Sequence, residues 1–131
     1  MNWLADTNVI SELSRRCPND GVVVWAGRAG PVSVSAVTVE EIFFGLSWSP
    51  NAAVQRWFER YFLERADVLP VTAKIARLAG DLRGALRARG KVRSQADMLI
   101  AATAAVHGLI LATRNVHDFE NCGIKILNPF T

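Results

Sequence analysis

The chain has little that would tie it to an oxidising compartment, a zinc centre or a bilayer. Two cysteines occur in 131 residues. Cys17 and Cys122 stand far apart and outside any CxxC spacing, so two free thiols in a reducing cytosol are expected. Two histidines, His107 and His117, do not make a His-rich zinc pattern. The first reads as the end of a helix and the second as part of a surface turn. No apolar run reaches the ~18–20 residues that span a bilayer. No basic segment followed by an apolar stretch marks a secretory leader, so a cytoplasmic protein without membrane attachment is expected. Internal repeats, low-complexity tracts and linkers are also missing.

What remains is the composition of one soluble globular domain, residues 1–131. Half of the residues are hydrophobic and 21% are charged, which supplies enough apolar surface for a core and excludes a disordered chain. Short strand-like runs alternate with helical ones. The strands read as Met1–Ala5, Val32–Ser35, Ala66–Pro70, Leu109–Thr113 and Lys125–Leu127. Helical patterns fall on Asn8–Arg15, on 19–29 ("NDGVVVWAGRA"), 38–48 ("TVEEIFFGLSW"), 51–65, 72–89 and 94–107. This alternation predicts an α/β fold: a central parallel sheet of about five strands flanked by helices.

Most of the 12 acids sit where solvated charge belongs. Glu59, Glu64 and Asp81 are interspersed with arginine on helical faces. Four others differ. Asp6 follows the first strand, in "LADTN". Glu41 is placed in the first turn of the helix after the second strand. Asp97 is placed in the first turn of the helix before the fourth strand, and Asp118 just after that strand. Each has an ordinary explanation as a helix cap. Thr38–Glu41 and Ser94–Asp97 fit the capping-box pattern, and Asp6 and Asp118 suit cap positions. Capping does not explain why the acids gather. In a parallel sheet the loops after the strands share one edge, where such folds bind ligands. Asp6, Glu41 and Asp118 therefore point to one crevice, and Asp97 joins them if its helix starts there.

Carboxylates so close repel one another unless a cation offsets them. Oxygen ligands alone suit a hard divalent ion, Mg²⁺ or Mn²⁺ rather than zinc. An all-carboxylate magnesium site suits phosphate-ester hydrolysis, lowering the pKa of a bound water and offsetting transition-state charge. The cations fit a phosphate partner without requiring one. Arginine makes up 12 of the 15, and its planar fork matches phosphate. Five cations lie between Arg83 and Arg93, either a solvated helix end or a phosphate-binding surface. The aromatics Trp57, Phe58, Tyr61 and Phe62 share one helical stretch, either as core or as part of a groove for a partner helix.

"LADTNVISEL", "SAVTVEEIFFGL", "ADMLIAATAAVHGLILATRNVHDFE" and "LNPF" together resemble the PIN-domain ribonucleases. The resemblance is strongest to VapC toxins of bacterial toxin–antitoxin pairs, in the FitB-like branch, and spans almost the whole chain in the family's motif order. It implies a PIN-like three-layer sandwich and hydrolytic, endonucleolytic cleavage of RNA with Mg²⁺ or Mn²⁺. By the resemblance, the metal-binding acids are Asp6, Glu41, Asp97 and Asp118. Thr7, Asn8, Thr113 and Asn115 would position water, ligands or the scissile phosphate, and Arg114, Arg93 and Arg89 would meet RNA. Where more distant PIN nucleases often carry an acid, this chain has Asn115, which leaves Asp118 as the fourth carboxylate, contacting metal directly or through water. A cognate VapB- or FitA-like antitoxin, a homodimer and a higher assembly with operator DNA are implied in the same way. The alternatives are a non-catalytic PIN-like module that binds nucleic acid or a partner, and a small-phosphoester hydrolase. The latter lacks its usual P-loop or DxDx[TV] motif here.

Overall fold

The computed structural model describes residues 2–131, so Met1 of the first expected strand lies outside the described residues. Five strands form one sheet: β1 (Trp3–Ala5), β2 (Val32–Ser35), β3 (Ala66–Leu69), β4 (Ile110–Ala112) and β5 (Ile126–Leu127). All pairings are parallel, in the order β3-β2-β1-β4-β5. The helices are α1 (Thr7–Leu13), α2 (Asp20–Ala29), α3 (Ala36–Trp48), α4 (Ala52–Glu64), α5 (Ala73–Ala88) and α6 (Gln95–His107), with a short 3-10 helix at Val116–Phe119.

The period of two along each strand divides the core. Trp3 and Ala5 of β1 pack with Val9, Val22, Ile42 and Phe58, from α1–α4. Leu4 between them packs on the other face with Ile75, Met98 and Ile100, from α5 and α6. Helices thus cover both faces, giving the expected three-layer sandwich. α6 tolerates burial on nearly every side because four of its six buried residues are alanine or threonine, which let neighbouring backbones come close. Gly108 ends it at φ 64°, a left-handed cap that glycine adopts without strain. No helix among the described residues is long and apolar enough to cross a membrane.

Two local expectations are corrected. α3 starts at Ala36 and is capped by Ser35, whose side chain accepts from the Val37 N–H. Thr38–Glu41 is therefore no capping box, and Glu41 sits in the second turn. Thr38 is instead fully buried. Asp118 lies inside the 3-10 helix and does not cap it. On α4, Phe58 and Tyr61 are buried, with Trp57 and Phe62 packed against the same core. The exposed large apolar residues nearby are Phe44 and Trp48 of α3 and Leu63 of α4, at 67%, 83% and 84% exposure.

Candidate active site

The strand order makes β1 the place where the chain changes direction of winding. β2 and β3 are added on one side of it, and β4 and β5 on the other. In open α/β sheets such a switch point opens a crevice beyond the carboxyl ends of the strands. Asp6 occupies that position on β1. Its backbone N–H continues the ladder to the Ala112 carbonyl of β4 at 2.9 Å, which brings Thr113 alongside.

Asp6 is only 4% exposed. Its Oδ1 accepts from the Thr7 N–H at 2.7 Å, so it does cap α1. Its Oδ2 accepts from the Thr113 hydroxyl at 2.8 Å and from Asn8 Nδ2 at 3.1 Å. The Thr113 oxygen also accepts from the Asn115 N–H and Asn8 Nδ2, which accounts for its one donor and two acceptor sites. Asn8 Oδ1 accepts from the Arg114 N–H. The Thr113–Asn115 loop is thus laced to the start of α1 through one carboxylate. Burial pushes the Asp6 carboxyl up to about 6; the bonds from Thr113 and Thr7 work against this, and Asp97 and Glu41 add to it.

Glu41 reaches the same crevice from α3. Its Oε1 accepts from the Thr7 hydroxyl at 2.7 Å. Thr38 Oγ1 lies 3.1 Å from Thr7 Oγ1, and since the Thr7 proton goes to the carboxylate, the Thr38 hydroxyl donates to Thr7. Glu40 beside it is exposed. Asp97 stands in the first turn of α6, where Ser94 accepts from its backbone N–H. Burial raises the Asp97 carboxyl; Ser94 and Arg93 lower it, while Asp118 and Glu41 raise it further. The four acids therefore feel one another: Asp6 with Glu41 and Asp97, and Asp97 with Glu41 and Asp118. None has an ion-pair partner among the described residues.

Mutual repulsion is not the same as a finished cage. No three acid, histidine or cysteine side chains among the described residues stand close enough to grip an ion as placed. The donor set still fits a hard divalent cation in its chemistry: oxygen only, buried at Asp6, and without an ion pair among the described residues. Glu41 lines a cleft of about 270 Å³ together with Thr7, Ser11, Ile42 and Phe58. A larger cavity of about 620 Å³ lies at the other end of β1, around Trp3, Trp25 and Pro129. Its single acid is Asp20, so size does not mark the end where the four acids gather.

The remaining expected residues divide. Arg114 is exposed beside the site. Arg93 is half-buried and its guanidinium donates to the Val92 and His117 carbonyls, each at 3.4 Å. It thereby ties the α6 approach to the 3-10 helix that carries Asp118. Arg89 is an exposed residue at the C-cap of α5 with no ion pair among the described residues. The Asn115 side chain makes no hydrogen bond among the described residues. Sequence reasoning missed Thr38, which it had assigned to a cap.

Comparison with known proteins gives this arrangement a lineage. Residues 4–124 match the family model described as PIN domain. The chain is 39% identical to VapC ribonuclease Y4jK of Sinorhizobium fredii, over 95% of each chain. It is 33% identical to toxin FitB of Neisseria gonorrhoeae, over 97% of each. The solved structure of FitAB bound to an IR36 DNA fragment superposes with a TM-score of 0.84 at 33% identity, covering 98% of this chain and 96% of that one. The sheet order, the acids at its carboxyl edge and these likenesses agree: the chain belongs to the PIN-domain family, in its VapC and FitB toxin branch.

Proposed function

We propose that the chain is a Mg²⁺- or Mn²⁺-dependent endoribonuclease, the toxin of a VapBC-type pair held inactive by a cognate antitoxin. The observation that carries this reading is a group of four carboxylates at the switch point of the sheet, Asp97 repelling the buried Asp6, Glu41 and Asp118, with no ion pair to any of them among the described residues. Asp6, Glu41, Asp97 and Asp118 would hold the metal. When bound, it would supply an acidified water and charge neutralisation at the scissile phosphate. The chain's own groups do the positioning. Thr113 and Asn8 fix the Asp6 carboxylate in one orientation, and Thr7 does the same for Glu41. Arg93 holds the turn that presents Asp118. Arg114, with Arg93 and Arg89, supplies positive charge for the RNA backbone.

The relatives support partners as well. FitAB is an assembly solved with a bound DNA fragment, and the exposed Phe44, Trp48 and Leu63 are apolar area suited to a partner chain. An antitoxin, operator DNA in the joint assembly and a homodimer complete the reading.

The test is cleavage of a structured RNA by the purified protein with Mn²⁺ or Mg²⁺, with and without EDTA. The wild type should cleave only with metal. Asp97→Asn should lose cleavage while its metal-free melting temperature stays equal or rises, since one repelling charge is gone. Cleavage at the wild-type rate by Asp97→Asn, or indifference of the wild type to EDTA, would remove the assignment. A metal-loaded wild type that binds RNA without cutting it would identify a binding module instead.

A further inference from the structure

Arg114 and Phe130 form a contact that the metal chemistry does not require. The Arg114 Cζ lies over the Phe130 ring, 4.9 Å from its centroid. The Arg114 side chain makes no hydrogen bond and no ion pair among the described residues, although its neighbour Thr113 donates to the buried Asp6. An aromatic face attracts a cation yet offers no in-plane acceptor. The guanidinium is held, and its fork of N–H donors stays free for a phosphate.

The ring is held in turn. Phe130 packs against the core on the α1–α4 side. Its backbone N–H donates to Asn128 Oδ1 at 3.0 Å. The next residue is clamped: the Thr131 N–H and hydroxyl donate to Asn19 Oδ1, and Asn19 Nδ2 donates to the Thr131 carbonyl. Asn19 is the N-cap of α2, with the same Oδ1 accepting from the Gly21 and Val22 N–H groups. Its own N–H donates to the buried Glu12 of α1 at 2.8 Å. The approach is so close that a Cβ at Gly21 would collide with the Pro129 carbonyl and the Thr131 methyl group.

We propose that Asn128–Thr131 is a strap that presents the Arg114 guanidinium to an RNA phosphate, with Phe130 as its positioning residue and Gly21 as its seat on α2. The inference rests on the ribonuclease reading above and names a specific phosphate contact within it. Phe130 touches no substrate; it acts through Arg114.

The test is a kinetic cycle on a defined RNA with Mn²⁺. Arg114→Ala and Phe130→Leu should each raise KM about tenfold with kcat retained, the loss of roughly one charge-assisted contact. Each should also reduce the salt dependence of RNA binding by about one unit of slope. Phe130→Tyr, which keeps the ring face, should behave as wild type. Phe130→Leu should add nothing once Arg114 is alanine. Gly21→Ala, remote from the acids, should reproduce Phe130→Leu. Equal losses from Phe130→Leu with and without Arg114, or no rescue by tyrosine, would overturn the strap and leave the ribonuclease reading standing. A wild type that cleaves no RNA would overturn both. The Arg114 Nε–H resonance separates geometry from activity and needs no variant to fold. It should be shifted upfield by the ring in the wild type, and an unshifted resonance would contradict the contact itself.

Discussion

Trp3 and Asp6 stand at opposite ends of the short strand β1, both nearly hidden from solvent, and their burial has opposite consequences. At the amino end Trp3 meets Trp25 edge-to-face with ring centroids 5.6 Å apart, and Leu4 fills the opposite face. Burial of such side chains contributes about 1.5–3 kcal/mol each. At the carboxyl end the same burial penalises a charge and drives its pKa up to about 6. Three hydrogen bonds hold Asp6 in one orientation without removing that penalty. One end of the strand is built for cohesion. The other holds a group whose charged form burial disfavours and a nearby cation would favour, which is more often the mark of a functional than of a structural acid.

Substitutions at the two ends should separate these roles. The largest stability effect belongs to the cohesive side. Leu4→Ala should cost about 2–5 kcal/mol of unfolding free energy, read from the urea midpoint, with Mn²⁺ binding retained in the folded fraction. Next comes the proton linkage of Asp6. Its folded pKa of about 6 lies above the ordinary aspartate value of 3.8, so between those values the native state holds more protons than the unfolded chain. Metal-free stability should therefore fall as pH rises from about 4 to about 6, by on the order of 3 kcal/mol, and Asp6→Asn should flatten that slope. A smaller effect is expected from Thr113→Val, which keeps the shape and removes the donor to Asp6 Oδ2. It should weaken metal affinity or cleavage about 10–100-fold. At the bottom of the scale, Arg60→Ala breaks a solvent-exposed pair with Glu64 at 3.8 Å and should change stability by no more than about 0.5 kcal/mol.

The layer structure was readable because local patterns specify it: strands of β-branched and apolar residues between capped amphipathic helices. All five strands fall inside or within a residue of their expected limits, and Ser94 caps α6 as its spacing suggests. The start of α3 was not readable. Ser35 and Thr38 are both competent caps, and in the fold Ser35 caps α3 while Thr38 is buried beside Thr7. The site was legible as a set of acids and not as a geometry. Asp6, Glu41 and Asp97 are brought together by a strand order that adjoins β1 to both β2 and β4, a long-range choice no short window contains. The same limit hid the distinction among the arginines. Arg93 turns inward to the His117 carbonyl, Arg114 rests on Phe130, and Arg89 remains in solvent. Sequence spacing places all three near one another in chain or motif, but their partners come from elsewhere in the fold.

The direct test of the account is whether a divalent cation stabilises this protein through the strand-end carboxylate. Melting temperatures should be measured for wild type and Asp6→Asn over a titration of Mg²⁺ and Mn²⁺. A ligand that binds the folded state raises stability by about 2.7 kcal/mol at a hundredfold excess over its dissociation constant. The wild type should show a clear upward shift and Asp6→Asn a far smaller one. Equal shifts in the two proteins, or none in either, would contradict a metal site at Asp6.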